Sequence, residues 1–376
     1  MKPIAIYIHI PFCIHKCSYC DFNSYAGLDH LTMDFCEAIK REIRGVRELE
    51  REVASVFFGG GTPTYLKAEQ LNSILNEVRD VFPFAKDVEI TSESNPANSD
   101  MERFEVMRQG GFNRLSIGVQ SFDDRILRIA ERRHTSEEAM TAIAFARIAG
   151  FENLNLDLIF ALPEQSLDDW RASLSRVINI NPEHISTYAL SIEEGTRFER
   201  MHRNHALHQA DEDTELVMYE MAIEQLIKAG YEHYEVSNFC RAGKQARHNL
   251  TYWLNDEYLG FGPGAVSYLD GRRWMNEKRP DSYIRKVKDG EPLAIQDETL
   301  SPAKALSETL ILGLRLRGGV SLKSIHDRYS IDPLERYSGL IGNLISEGLA
   351  ELNGDTLRLT HKGLLFSNDV FIRILP

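Results

Sequence analysis

Three cysteines, Cys13, Cys17 and Cys20, stand in a C-x3-C-x2-C spacing near the start of the chain. Thiolates are soft ligands that select iron–sulfur clusters or zinc, and three of them on one loop leave one metal position open. A zinc ion needs a fourth donor, which His9 or His15 could give, although no second CxxC or HxxxH pair completes a structural zinc pattern. Disulfides are not expected, because the five cysteines are an odd number and the sequence opens with no secretory signal pattern. Cys36, in a helical stretch, and Cys240, in a loop, read as ordinary buried or free thiols. A second feature is Gly59-Gly60-Gly61-Thr62-Pro63. It lacks the Gly-Lys-Ser/Thr ending of a phosphate loop, so it is either a plain strand-to-helix turn or a place where backbone approaches a ligand closely.

These residues need a scaffold, and the apolar pattern supplies one. Short strands are expected at Ile4–Ile10, Ser55–Phe58, Val88–Ser92, Leu115–Val119, Leu154–Ile159 and Ile185–Leu190, each rich in β-branched or aromatic residues. Amphipathic helices are expected at Leu31–Leu49, Ala68–Val81, Met101–Arg108, Ser136–Ala149 and Leu167–Ile178. Asp100, Ser136 and Asp168 sit near helix starts, where side-chain oxygens cap free N–H groups. Alternating βα units imply a parallel sheet, and in a (β/α) barrel chemistry gathers at the C-terminal ends of the strands. The cysteines follow the first strand, the glycine run the second, Glu93 the third and Gln120 the fourth, and Asp157 lies near the end of the fifth. Six units rather than eight point to an open, partial barrel. The run Gly260, Gly262, Gly264 half matches a dinucleotide fingerprint but lacks an acidic ribose partner after a clear βα unit, and reads as a turn.

The final stretch predicts helices near Ala305–Leu316 and Leu334–Glu347, then a hairpin over Leu349–Leu359 turning at Asn353-Gly354. Helices followed by such a hairpin look like a small winged-helix module. With 376 residues, 43% of them hydrophobic, the chain can bury one large core and one small one. A net charge of −13 argues against a nucleic-acid partner. No apolar run approaches the ~20 residues of a membrane span, so a cytoplasmic protein with no transmembrane segment is expected, in a compartment that keeps thiols reduced.

Tyr19, before the last cysteine, completes C-x3-C-x-(aromatic)-C, which resembles the cluster-binding signature of the radical S-adenosylmethionine (SAM) superfamily. Y-I-H-I-P-F-C, F-F-G-G-G-T-P, G-F-N-R-L-S-I-G-V-Q-S-F and N-L-D-L-I-F-A-L-P together resemble, over essentially the whole chain, the branch related to oxygen-independent coproporphyrinogen III oxidase. The resemblance implies an α/β fold, a partial (β/α)6 radical SAM barrel with a C-terminal winged-helix-like domain. It implies a [4Fe–4S] cluster on Cys13, Cys17 and Cys20 whose fourth iron is chelated by SAM, and an electron able to cleave SAM to a 5'-deoxyadenosyl radical. Tyr7, Gly60, Gly61, Thr62, Glu93, Gln120, Arg132, Asp157 and Ala189 would line the SAM pocket, with Arg132 pairing the carboxylate and Glu93 and Asp157 suited to ribose hydroxyls or the amino group. On residue type alone, charged groups at strand ends are as readily solvated or salt-bridged.

Within that branch the oxidases carry a further cysteine two residues after the triplet and a longer N-terminal segment; here Phe22 takes that place and the first cysteine is residue 13. His248-Asn249-Leu250-Thr251-Tyr252-Trp253 instead resembles the H-N-x-x-Y-W motif of the branch's haem chaperones. An imidazole can ligate haem iron, and Tyr252 and Trp253 could cover a porphyrin face, though such a group is equally a packing unit. The resemblance thus implies haem as cargo, held by His248, Asn249, Tyr252 and Trp253. It also implies haem-accepting proteins, membrane cytochromes among them, and an electron donor as partners. The alternative is the oxidase activity itself. The expected division is a barrel over 1–235, a connecting segment over 236–297 with the H-N-x-x-Y-W motif, and the C-terminal module over 298–376.

Overall fold

The computed structural model describes residues 2–375. Its main sheet starts from β1 (Ile4–Ile10), in which Ile4, Ile6, Ile8 and Ile10 are fully buried on one face. That face packs on Phe35, Ile39 and Ile43 of α1 (Thr32–Arg44), while Tyr7, on the alternate face, points into the lumen. The same alternation recurs in β2 (Val53–Gly60), β3 (Phe84–Ser94), β4 (Arg114–Gln120), β5 (Leu154–Phe160) and β6 (His184–Ala189). Leu115, Ile117 and Val119 face the helices, and Arg114, Ser116, Gly118 and Gln120 face inward. The inside of the barrel is therefore polar and the helix layer carries the apolar core.

Between the strands lie α2 (Ala68–Val81), α3 (Met101–Gly110), α4 (Ser136–Ile148) and α5 (Leu167–Ile180). Asp100 caps α3 as expected, but the caps of α4 and α5 are Thr135 and Ser166, each closing a capping box with Glu138 and Asp169. Ser136 and Asp168 sit just inside those helices. α1 ends at Arg44, with Gly45 as its C-cap, short of the expected Leu49.

The sheet continues past the sixth strand. After α6 (Glu212–Lys228) come β7 (Glu232–Glu235) and β8 (Asn238–Cys240), then α7 (Arg247–Trp253), β9 (Tyr258–Phe261), β10 (Val266–Leu269), β11 (Arg272–Asn276) and β12 (Ala294–Thr299). The order is β12-β11-β10-β9-β1-β2-β3-β4-β5-β6-β8-β7, parallel from β9 to β6 and antiparallel outside it. The stretch 236–297 thus adds a seventh parallel strand beside β1. Gly262 and Gly264, both at positive φ, make the turn out of β9, and a Cβ on Gly262 would stand 2.6 Å from the His9 carbonyl oxygen.

A second core of Leu306, Leu310, Leu322, Ile341 and Leu357 organises the C-terminal unit. It comprises α8 (Pro302–Gly313), α9 (Leu322–Tyr329), α10 (Pro333–Ser346) and a three-stranded sheet of Val320–Ser321, Ala350–Asn353 and Thr356–Leu359. This is the winged-helix-like arrangement, with α9 and the short helices His361–Leu365 and Ser367–Ile374 in addition to the expected ones. Asn353 pairs with Thr356, so the hairpin turns on Gly354-Asp355, one residue later than expected. Among the described residues, no helix is long and apolar enough to cross a membrane.

Candidate functional site

The chain leaves β1 at Ile10 and forms a loop whose base is closed by parallel pairing of Phe12–Cys13 with Tyr25–Ala26. Cys13, Cys17 and Cys20 all lie on this loop as free thiols, Cys13 buried and the other two half-buried. Burial pushes the Cys13 and Cys20 thiols up. Asn23 anchors the loop: its carbonyl meets His9 Nε2 at 2.9 Å and its amide donates to the Pro263 and Lys278 carbonyls at 2.9 and 3.0 Å. Cys36 and Cys240 are buried elsewhere, their thiols pushed up to about 12 by burial.

Among the described residues, no three His, Cys, Asp or Glu side chains converge closely enough to hold a single ion. Both ring nitrogens of His9 are hydrogen-bonded, Nδ1 to Tyr7 OH at 3.0 Å and Nε2 to the Asn23 carbonyl at 2.9 Å. Thiols spread along one loop suit a polynuclear cluster, in which each cysteine meets a different iron.

The loop forms one wall of a cavity of about 330 Å³ at the C-terminal ends of the strands. Gly61, Thr62, Glu93, Gln120, Arg132, Asp157 and Ala189 line it with the three cysteines. Arg132 donates to the Gly118 carbonyl at 2.7 Å and to Cys17 Sγ at 3.5 Å, and its Nε is buried without a partner. Gln120 has φ +66° at an irregularity in the β4–β5 register, which turns it into the cavity, where its Oε1 has no partner. Unpaired donor and acceptor atoms of this kind fit a polar ligand. Glu93 accepts the Gly60 N–H at 3.1 Å; burial, then the charge of Asp157, push its carboxyl up to about 8. Asp157 is also raised by burial, and accepts from Ser116 Oγ at 3.0 Å and Asn155 Nδ2 at 2.8 Å.

Tyr7 and Gly60 do not reach this cavity. Tyr7 faces a deeper space, and Gly60, at φ +109°, lies against the His9 ring, which a Cβ would meet at 2.5 Å. Gly61 lets the β2 turn pass against the start of the cysteine loop, a Cβ there standing 2.6 Å from the Phe12 carbonyl oxygen.

Beneath Glu93, Ser116, Asp157 and Tyr188, which border both spaces, lies an inner chamber of about 200 Å³ closed by α7. His248 plugs it. Its Nδ1 meets Ser55 Oγ at 3.0 Å, its Nε2 meets Tyr252 OH at 2.9 Å, and its backbone N–H donates to Glu89 Oε1 at 3.1 Å. Its ring stacks on Phe57 with centroids 5.0 Å apart, and burial, then the Arg114 charge, lower its pKa to about 3. Asn249 and Tyr252 also face the chamber, whereas Trp253 lies under the Arg315 guanidinium at 4.3 Å and borders a separate groove against the C-terminal unit. Consecutive helical positions point in different directions, so Tyr252 and Trp253 do not form one face here. Both imidazole nitrogens are engaged in this arrangement. Arg114, Ser116 and Tyr188 also line these spaces; the two-residue period back from Gln120 through Gly118 would have marked the first two.

The radical SAM superfamily pattern matches residues 7–177, and the HemN C-terminal domain pattern matches residues 300–366. The chain is 36% identical to the heme chaperone HemW of Bacillus subtilis, covering 98% of each protein. It is 37% identical to the heme chaperone HemW of Mycobacterium tuberculosis, over 100% of this chain and 95% of that one. Its fold is similar to that of coproporphyrinogen III oxidase (HemN) from Escherichia coli, a radical SAM enzyme, with a TM-score of 0.87, 24% identity, and coverage of 99% of this chain and 90% of that one. Near full-length similarity at this level, on a barrel with three free cysteines at its mouth, shows that this chain belongs to the HemW heme chaperone family within the radical SAM superfamily.

Proposed function

We propose that this chain is a haem chaperone that takes up haem for delivery to haem proteins, with a [4Fe–4S] cluster on Cys13, Cys17 and Cys20 and SAM in the mouth cavity. The observation that carries this reading is the near full-length similarity to heme chaperones. In this reading Arg132 pairs the SAM carboxylate, its unpartnered Nε being the free donor, and Gln120 Oε1 accepts from the same ligand. Glu93, held neutral near pH 7 by burial, donates a hydrogen bond, and Asp157, oriented by Ser116 and Asn155, accepts one. A bound cluster supplies single electrons; the protein's part is to position SAM and keep water out. Oxidase activity is disfavoured because Phe22, 58% exposed at the cavity edge, stands where the oxidase branch has a cysteine. A cytoplasmic location, an electron donor and haem-accepting partners belong to the same proposal.

Haem contact through His248, Asn249, Tyr252 and Trp253 requires α7 to leave the chamber, because both imidazole nitrogens are otherwise occupied. The test is anaerobic reconstitution followed by incubation with haem and, separately, with coproporphyrinogen III, SAM and a reductant. Stable haem retention without protoporphyrinogen formation is expected, and His248→Ala should shift the Soret band while leaving cluster iron unchanged. SAM-dependent decarboxylation with no haem retention would overturn the reading, and a wild-type Soret band in His248→Ala would remove the motif from the haem site.

A further inference from the structure

The inner chamber contains a guanidinium with no hydrogen-bonded counterion: its charge favours ionised Asp157 across the chamber without pairing to it. Arg114 opens β4, is only 2% exposed, and lines the chamber with a buried Nε that has no partner. The carboxylates inside the barrel are committed elsewhere. Asp157 accepts from Ser116 and Asn155, Glu89 from the backbone N–H groups of Arg247 and His248, and Glu93 from that of Gly60. Among the described residues, the Arg114 guanidinium makes neither a hydrogen bond nor an ion pair. A buried, unpaired guanidinium is among the costliest groups to keep in a folded protein. The amide of Asn249, a member of the H-N-x-x-Y-W motif, faces the same chamber and also forms no side-chain hydrogen bond among the described residues.

We infer that this chamber is an anion site, in which the Arg114 fork and the Asn249 amide together hold one small oxyanion or carboxylate, in the size range from formate to phosphate. Guanidinium geometry matches two oxygens of a carboxylate or phosphate, and an amide N–H adds a third donor. About 200 Å³ is below the usual range for organic ligands and accommodates an ion with a few waters. The chamber's acids are Glu93, raised to about 8 by burial and so neutral near pH 7, and Asp157, raised by burial and held by Ser116 and Asn155; among the described residues, Arg114 is its one permanent charge. Entry is from the mouth, since Glu93, Ser116, Asp157 and Tyr188 border both spaces. The site is complete only while α7 keeps Asn249 in the chamber, so anion binding and the haem contact proposed above exclude one another.

The experiment uses the full-length protein, exchanged into a buffer whose only anion is chloride and titrated at constant ionic strength with formate, acetate, bicarbonate, sulfate and phosphate. Thermal unfolding and calorimetry are the readouts. At least one of these ions should raise the unfolding temperature saturably and bind with one-to-one stoichiometry. Planar and tetrahedral ions separate the ligand classes. Asn249→Ala should weaken that binding at least tenfold, Arg114→Lys should also weaken it, and Arg114→Gln should abolish it. SAM binding by each variant checks that the barrel has folded. If Arg114→Gln does not fold, the two other variants decide. No saturable effect from any of the five ions, or equal binding by wild type, Asn249→Ala and Arg114→Lys, would overturn the assignment.

Discussion

Replacing Gly61 by alanine tests whether the glycine run exists to let two loops touch. Its Cβ would stand 2.6 Å from the Phe12 carbonyl oxygen and 3.0 Å from that of Ile10. Ordinary carbon–oxygen contact begins near 3.3 Å, so the loops must part by roughly 0.7 Å. Both obstacles are backbone atoms and cannot swing aside. They are also hydrogen-bond acceptors, Ile10 O for Gly61 N–H and Phe12 O for Thr62 N–H, each at 2.8 Å. Overpacking of this kind costs about 1–3 kcal/mol, and losing one of those bonds costs about 1 kcal/mol more. The expected destabilisation is therefore ~2–4 kcal/mol, a large share of the 5–15 kcal/mol typical of a domain. The same displacement moves Thr62 Oγ1 away from Cys13 Sγ, now 3.6 Å apart, so iron retention should fall with stability. Urea unfolding should show a lower midpoint with an unchanged slope. Gly342→Ala is the control: it sits in α10 with nothing within 4 Å of the added carbon, and should be neutral or stabilising by up to about 1 kcal/mol. A Gly61→Ala protein within about 0.5 kcal/mol of wild type, with full iron content, would refute the reasoning.

Cys17→Ala should lose the cluster on anaerobic reconstitution while Cys36→Ala keeps it, measured as iron and sulfide per chain, because only Cys17 lies on the mouth loop. Arg132→Ala should weaken SAM binding at least tenfold by calorimetry, and Arg132→Lys should not restore it, since one ammonium cannot serve Gly118, Cys17 and a ligand together. Glu93 is protonated in the folded chain up to about pH 8 but loses its proton near 4.5 when unfolded, so its contribution is full below pH 4.5 and is lost as pH rises through 8. Glu93→Gln, measured by unfolding across that window, should gain stability relative to wild type, by on the order of a few kcal/mol at pH 8; parallel pH profiles would place the proton elsewhere.

The sequence was most informative where periodicity and burial coincide. Ile4, Ile6, Ile8 and Ile10 mark β1 to the residue, and the chemistry-bearing residues do gather at strand ends, as the repeated βα units imply. It was less informative where tertiary contacts set the outcome. β9 is a short, glycine-containing strand whose pairing with β1 spans some 250 residues, and no local pattern reveals such a partner. Thr135 and Ser166 are the caps where the pattern points equally to neighbouring Ser136 and Asp168, since polar residues cluster at both helix starts and only the backbone angles separate cap from first turn. Tyr7 alternates correctly with the isoleucines, but its depth along the barrel, below the mouth cavity, depends on strand stagger. The H-N-x-x-Y-W motif identifies a conspicuous helix, yet nothing in its composition says that His248 faces inward and Trp253 outward.

The polar lumen unites these observations. In a closed eight-stranded barrel, layers of branched apolar side chains fill the interior and stabilise it. Here the inward positions are Tyr7, Glu93, Arg114, Ser116, Asn155 and Asp157, so the apolar core lies almost wholly between sheet and helices. Such an interior is stable only if its polar groups are satisfied by one another, by water or by ligands. The lower part is largely self-satisfied through His248, Ser55, Tyr252 and Glu89, with Arg114 Nε left unpaired. The upper part leaves Gln120 Oε1 and Arg132 Nε unpaired beside three free thiols. Ligand occupancy at the mouth should therefore stabilise the whole barrel and not merely its loops, because the same Glu93 and Asp157 side chains form the mouth's floor and the inner chamber's roof.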